Sequence, residues 1–375
     1  MKIMFTGGGT GGHFYPIIAV AESIKKIVKE KRLLPPALYY MANEPYDRRA
    51  LFDAGITFVS MPSGKIRRYF SLLNVTDVFK TAAGVLKSLW KIFLIYPDVI
   101  FGKGGYASFP ALVAARIFRI PVVIHESDSV PGRVNVWAGK FAVSVAVSFP
   151  EAAKYFPEEK TAFTGNPVRQ EVLNLDPDAA YEYFKMEKNV PTIFVMGGSQ
   201  GARIINETLL SVLAELVKKY QVIHQTGSKN FGDVSKEAGV ILSGSPLKTR
   251  YLPIAYLDDV QMKSAAAAAS LVVSRAGSTI FELAAWGVPS IVIPLREAAE
   301  DHQTKNAFNY ARSGAAVVIE EVNLSPHVLL SEIDRLLGDS AKLAQMKTAA
   351  RQFARLDAAD TIALKLLEIG LPHEV

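Results

Sequence analysis

The 375-residue chain contains no cysteine, which excludes disulfide staples and Cys-type zinc sites but fixes no compartment. Long apolar runs are missing too. The charge-free stretches 189–202 and 283–295 are shorter than the ~20 residues a membrane-spanning helix needs, and Gly and Pro interrupt both. The N-terminus runs from Met1-Lys2 straight into a short apolar segment and a glycine loop, which does not read as a signal peptide. No carboxylate-rich metal motif stands out; Asp258-Asp259 reads as the acidic start of a helix. What remains is a globular balance, half apolar and about a fifth charged, with a cytosolic protein as the simple reading. The length favours two domains. A net charge of +6 suits an anionic partner, and on charge alone nucleotide, anionic lipid and nucleic acid stay open.

Two segments repeat one device. Lys2-Ile3-Met4-Phe5 leads into Thr6-Gly7-Gly8-Gly9-Thr10-Gly11-Gly12-His13, and then into a helical pattern through Ile17, Ile18, Val20, Ala21, Ile24 and Ile27. Thr192-Ile193-Phe194-Val195-Met196 leads into Gly197-Gly198-Ser199-Gln200-Gly201-Ala202, and then through Ile204, Ile205, Leu209, Leu213 and Leu216. Strand, glycine turn and helix open a nucleotide-binding α/β unit, so the repetition predicts two such domains in tandem. Further strand-like runs at 38–41, 57–60, 99–101, 122–124 and 143–148, then 222–224, 271–274, 290–293 and 315–319, predict parallel sheets covered on both faces. The boundary is expected near Gly165-Asn166-Pro167. The stretch 346–369 reads as closing helices that cross back onto the first domain.

The first loop matches GxGxxG at Gly7, Gly9 and Gly12, a weak pattern whose dinucleotide reading also wants an acid after the second strand. Glu44 could supply it, so an NAD(P)-dependent oxidoreductase is a rival. His13 stands at a helix start, where the dipole disfavours its protonation, and a neutral imidazole there can act as a general base. The second loop keeps what a diphosphate needs: small residues, helix N-terminal amides and the Ser199 hydroxyl. Ser274-Arg275-Ala276-Gly277-Ser278-Thr279-Ile280-Phe281-Glu282 ends a strand and opens a helix. Glu282 is either a carboxylate stabilising that helix start or an acceptor for ribose hydroxyls. Asp301-His302-Gln303-Thr304-Lys305-Asn306 follows a strand, where open α/β sheets bind ligands. Apolar residues Val75, Val78, Phe79, Ala82, Val85, Leu86, Leu89, Trp90, Phe93 and Leu94 recur at helical spacing near Lys80, Lys87 and Lys91, with Lys65, Arg67 and Arg68 just before. That helix reads either as core-facing or as an interfacial surface whose apolar groups enter lipid while basic groups meet anionic headgroups.

Seven short motifs in order make the chain resemble the MurG family. They are Gly8-Gly9-Thr10-Gly11-Gly12-His13; Gly102-Lys103-Gly104-Gly105-Tyr106; His125-Glu126-Ser127-Asp128; Thr164-Gly165-Asn166-Pro167-Val168-Arg169; Gly197-Gly198-Ser199-Gln200-Gly201-Ala202; Ser274-Arg275-Ala276-Gly277 with Glu282; and Asp301-His302-Gln303 with Asn306. The likeness runs over nearly the whole length. It implies an α/β, GT-B fold: two Rossmann-like doubly wound parallel-sheet domains facing across a cleft. The N-terminal, acceptor and membrane-side domain would span 1–166, with a C-terminal helix of about 352–375 packing back on it. A UDP-sugar-binding domain would span 167–351. The implied enzyme is an inverting transferase that moves N-acetylglucosamine (GlcNAc) from UDP-GlcNAc to undecaprenyl-pyrophosphoryl-muramoyl-pentapeptide, turning lipid I into lipid II in peptidoglycan synthesis. No cofactor, metal or nucleic-acid partner is implied. The setting would be the cytoplasmic face of an anionic membrane, as a peripheral protein, with cell-wall synthesis proteins as possible partners.

The resemblance also distributes roles. His13 is the candidate base, with Glu126 and Asp128 as competitors. UDP-GlcNAc would meet Thr10, Gly11, Gly12, Asp128, Arg169, Ser199, Leu257, Gly277, Ser278, Thr279, Glu282 and Gln303. The acceptor pyrophosphate would meet Gly9, Gly11, Gly12, Gly104, Gly105 and Tyr106. The membrane surface would comprise Phe79, Leu86, Trp90, Lys65, Arg67 and Arg68. Two departures stand out. Asp128 replaces the Asn that some members carry, and the Gly277–Glu282 segment is one residue shorter than the familiar Gly-x-x-Thr-x-x-Glu. A glycosyl-diacylglycerol synthase of the same fold and a non-catalytic membrane adaptor are further alternatives.

Overall fold

The computed structural model describes residues 1–64, 73–197, 201–296 and 301–371. The chain forms two compact units: Met1–Arg169 with Arg355–Val375, and Gln170–Ala354. The first unit carries β1 (Lys2–Thr6), α1 (Gly11–Glu30), β2 (Ala37–Ala42), α2 (Arg48–Asp53), β3 (Ile56–Ser60), α3 (Leu73–Ile95), β4 (Val99–Gly102), α4 (Phe109–Phe118), β5 (Val122–Glu126), α5 (Arg133–Gly139), β6 (Ser144–Val147), α6 (Pro150–Ala153) and β7 (Thr161–Phe163). Its sheet is parallel throughout, in the order β3-β2-β1-β4-β5-β6-β7. The central strands are buried on both faces and therefore continuously apolar rather than alternating. Alternation still decides which side each residue packs on. Ile3 and Phe5 join the core with Phe14, Ile17 and Ile24 of α1, whereas Met4 and Ile100 join Ile92 of α3 and Leu112 of α4.

The second unit repeats the plan: α7 (Pro177–Phe184), β8 (Thr192–Met196), α8 (Arg203–Lys219), β9 (Gln221–Gln225), α9 (Phe231–Ile241), β10 (Tyr251–Ile254), α10 (Asp259–Ala268), β11 (Leu271–Ser274), α11 (Thr279–Trp286), β12 (Ser290–Val292), α12 (His302–Arg312), β13 (Ala316–Val318), α13 (Pro326–Leu337) and α14 (Ser340–Phe353). Its parallel sheet runs β10-β9-β8-β11-β12-β13. The last helix, α15 (Ala358–Gly370), belongs to the first unit. There Asp360 accepts from the Ser23 hydroxyl and pairs with Lys26 at 3.1 Å. These contacts, the Ser23 hydrogen bond first, hold its carboxyl below the usual range.

Both sheets reverse strand order once, between β1 and β4 and between β8 and β11. At such a switch point the crossovers leave to opposite sides and open a crevice beyond the strands' carboxyl ends. The two glycine loops, following β1 and β8, sit at these points. The two-Rossmann α/β class read from the sequence is the observed one. Two short strands, β7 and β10, fall outside the runs read there.

Candidate active site

In the first unit three loops meet beyond the carboxyl ends of β1, β4 and β5. Lys103 N–H donates to Thr6 O at 2.8 Å, lashing the second loop to the first. The contact is close enough to need glycine. A Cβ on Gly105, whose φ is +78°, would lie 3.0 Å from Gly8 O and 3.7 Å from His13 Nε2. Tyr106 packs over Gly9, its Cε1 3.3 Å from where a Cβ would stand. His13 lies in the first turn of α1, half-buried, and Thr10 Oγ1 and His13 Nδ1 are hydrogen-bonded at 3.0 Å. Thus Gly9, Thr10, Gly11, Gly12, His13, Gly105 and Tyr106 come together, while Gly104 is buried beside Asn135.

The third loop turns on Glu126. One carboxylate oxygen accepts from Asp128 N–H at 2.9 Å. The other accepts from Gly132 N–H at 3.0 Å and from Asn135 Nδ2 at 2.9 Å. Asn135 also donates to His125 O at 3.1 Å. Glu126 therefore holds its own loop together. Burial, followed by the charge of Asp128, pushes its carboxyl up to about 7. Lys103, at the mouth of β4, is 1 % exposed, and its Nζ finds no hydrogen-bond partner among the described residues. Burial pushes this ammonium down to about 8, while Glu126 and Asp128 pull the other way. His125 donates from Nε2 to Gly165 O at 3.0 Å; burial, then Lys103, holds it well below its ordinary value. Arg169 closes the first unit, buried, with its guanidinium 3.8 Å from the centre of the Tyr15 ring.

In the second unit the described part of the β8 loop is Gly197 and Gly201–Ala202. Ser199 lies outside the described residues, as do Lys65, Arg67 and Arg68. A Cβ on Gly201, φ +75°, would collide with Thr226 O, so glycine is needed where this loop crosses the end of β9. Gly277 is different: nothing lies within 4 Å of where its Cβ would be, so packing does not demand glycine there. Ser278 precedes α11, with Thr279 at its start and half-buried Glu282 in its first turn. Leu257 is 1 % exposed, packed into the second unit. Asp258 caps α10, accepting from Gln261 N–H at 2.9 Å while its own N–H donates to the Gln261 amide oxygen at 3.2 Å. Its role as the acidic start of a helix is thereby the observed one, and no group of three or more His, Asp or Glu that could hold a metal occurs among the described residues.

Gln303 lies in the first turn of α12, and its amide oxygen accepts from Leu295 N–H at 3.0 Å. Asn306 is buried and donates to Ala276 O at 3.4 Å. Lys103 and Asn135, which tie the first unit's loops together, were not singled out in the sequence. Lys103 was legible as a lone cation between glycines; nothing local marks Asn135.

On α3, Phe79, Leu86 and Trp90 are 72 %, 69 % and 61 % exposed, and Val78, Phe93 and Leu94 are also out. Asp77, Ser88 and Ile92 are buried instead. The core-facing reading fails for most of the apolar stripe. No described helix is long and apolar enough to cross a membrane.

Fold and loops together define a two-domain α/β protein of the GT-B class, with a glycine loop at each switch point. The glycosyltransferase family 28 N-terminal domain matches residues 3–147 and its C-terminal domain residues 192–362. A UDP-N-acetylglucosamine–N-acetylmuramyl-(pentapeptide) pyrophosphoryl-undecaprenol N-acetylglucosamine transferase from Halothermothrix orenii is 35 % identical, with 98 % of each chain covered. The enzyme of that name from Listeria monocytogenes is also 35 % identical, over 98 % of this chain and 99 % of its own. The crystal structure of Acinetobacter baumannii MurG superposes with a TM-score of 0.72 at 26 % identity, covering 98 % of this chain and all of that one. The chain belongs to the MurG family of glycosyltransferase family 28.

Proposed function

We infer that this protein is an inverting transferase that moves GlcNAc from UDP-GlcNAc to the 4-hydroxyl of the muramoyl sugar of lipid I, producing lipid II for the cell wall. The observation that carries this reading is the end-to-end likeness to transferases named for that reaction. It runs through the glycine loops at both switch points, which an oxidoreductase with one dinucleotide loop does not require, and so favours the transferase over the alternatives.

The second unit would take the donor. Glu282 accepts the ribose hydroxyls, Leu257 lies by the uracil, and Gln303 meets the sugar hydroxyls. Gly277, Ser278 and Thr279 line the donor, and the Ser199 hydroxyl and the amides opening α8 would serve its diphosphate. Arg169 and Asp128 would serve the donor as well. Thr10, Gly11 and Gly12 meet the donor sugar, and with Gly9, Gly104, Gly105 and Tyr106 they hold the acceptor pyrophosphate. The acceptor oxygen attacks the anomeric carbon as its bond to UDP breaks. The leaving electron pair goes to the diphosphate, and the proton to His13 Nε2. For that the imidazole must carry its hydrogen on Nδ1 and donate it to Thr10 Oγ1. Three donors already occupy the Glu126 carboxylate, which favours His13 as the base.

The exposed apolar face of α3 beside Lys80, Lys87 and Lys91 would rest on the cytoplasmic leaflet, with Lys65, Arg67 and Arg68 adding charge. UDP release from UDP-GlcNAc, measured with and without a lipid I analogue, tests the reading. Release that depends on the analogue is expected; release indifferent to it would end the proposal.

A further inference from the structure

Arg275 follows β11 at the switch point, where an arginine invites assignment to the donor diphosphate. Its guanidinium is already committed. Nη1 donates to Ile293 O at 3.1 Å and to Glu321 Oε2 at 3.2 Å, and Nη2 reaches Glu321 Oε1 at 3.4 Å. The two side chains are only 12 % and 17 % exposed, so this two-point ion pair is shielded and directional. Glu321 Oε2 also accepts from Arg296 N–H at 3.0 Å. The pair therefore grips the segment after β12 twice, at Ile293 O and at Arg296 N–H. Between these grips sits Leu295, whose N–H donates to the Gln303 amide oxygen at 3.0 Å.

That last bond fixes chemistry as well as position. A backbone N–H can pair only with the oxygen of the amide, so the NH2 group is turned away from Leu295. A side-chain amide otherwise free to flip becomes an oriented donor, suited to a ligand hydroxyl oxygen.

We propose that Arg275 and Glu321 are positioning residues for donor-sugar selection, acting through Leu295 to hold the Gln303 amide with its NH2 toward the sugar. This rests on the donor reading of the second unit. The nucleoside diphosphate is held by other groups, so the clamp separates sugar recognition from UDP recognition.

The test compares wild type, Glu321→Gln, Arg275→Lys, Gln303→Ala and the Glu321→Gln/Gln303→Ala double variant. Binding of UDP alone and of UDP-GlcNAc is measured by calorimetry, and transfer is assayed with UDP-GlcNAc and its C4 epimer, UDP-N-acetylgalactosamine. Loss of one oriented hydrogen bond predicts UDP binding unchanged and preference for GlcNAc reduced by about 3- to 10-fold. The double variant should be no less selective than Gln303→Ala, because the effects pass through one amide. Additive losses, an equal fall in UDP affinity, or intact selectivity in both single clamp variants would overturn the proposal. Gln303→Glu guards against misfolding: it keeps an acceptor for Leu295 N–H but removes the donor, and should lose selectivity with thermal stability near wild type. A wild type that binds no UDP-GlcNAc would instead sink the donor reading itself.

Discussion

At the scale of single residues, the first unit divides labour between a surface histidine and a buried carboxylate. His13 stands half-buried with Thr10 on Nδ1, while Glu126 spends both oxygens on its own loop. His13→Ala is therefore expected to lower kcat by about 10²- to 10⁴-fold, with UDP-GlcNAc affinity nearly unchanged. A variant losing only acceptor affinity would return the role to Glu126 or Asp128. Glu126 itself supplies a signed pH effect. Its pKa is raised in the fold to about 7, so its contribution to stability is full at low pH and is lost as pH rises through that value. Lys103 draws the carboxyl down and Asp128 pushes it up. Lys103→Met should thus move this loss to higher pH, and Asp128→Asn to lower pH. Urea midpoints between pH 5 and 9 would show it, and shifts of the same sign in both variants would refute the pairing. His13 and the glycines were legible because loop chemistry is local. Glu126 as a support was not, since its partners Gly132 and Asn135 carry no sequence mark of that contact.

At the scale of elements, strands buried on both faces announced themselves as apolar runs, whereas two of the four edge strands, β7 and β10, did not. β7 is three residues, Thr161–Phe163, with two of them exposed. β10 contains Pro253, which a sheet tolerates only at an edge. The helix α3 was legible in period but not in facing. Its pattern allowed either a core or an interfacial role, and only the fold shows Phe79, Leu86 and Trp90 turned outward. Replacing these three with Ser should cost little stability, because they bury little. If this face rests on lipid, cosedimentation with vesicles of anionic phospholipid should fall severalfold, while transfer to a water-soluble acceptor analogue stays unchanged. Binding to vesicles at the wild-type level would place the membrane face elsewhere.

At the scale of the molecule, the repeated strand–glycine–helix device foretold two parallel sheets, and each sheet brings its glycine loop to its switch point. The return of the chain to the first unit was read from the closing helical pattern, but not what anchors it. Its anchor, Asp360 on Ser23 and Lys26, joins residues more than three hundred positions apart, beyond any local reading. Equally illegible was the clamp from Arg275 to Glu321, although Arg275 lies inside a motif quoted from the sequence. The central claim is that donor and acceptor groups on these two units perform one inverting transfer. It is tested most directly by NMR of the product formed from UDP-GlcNAc and a lipid I analogue. GlcNAc joined in β configuration to the 4-oxygen of the muramoyl sugar is the expected product. An α linkage, attachment at another oxygen, or free GlcNAc as the sole product would contradict it.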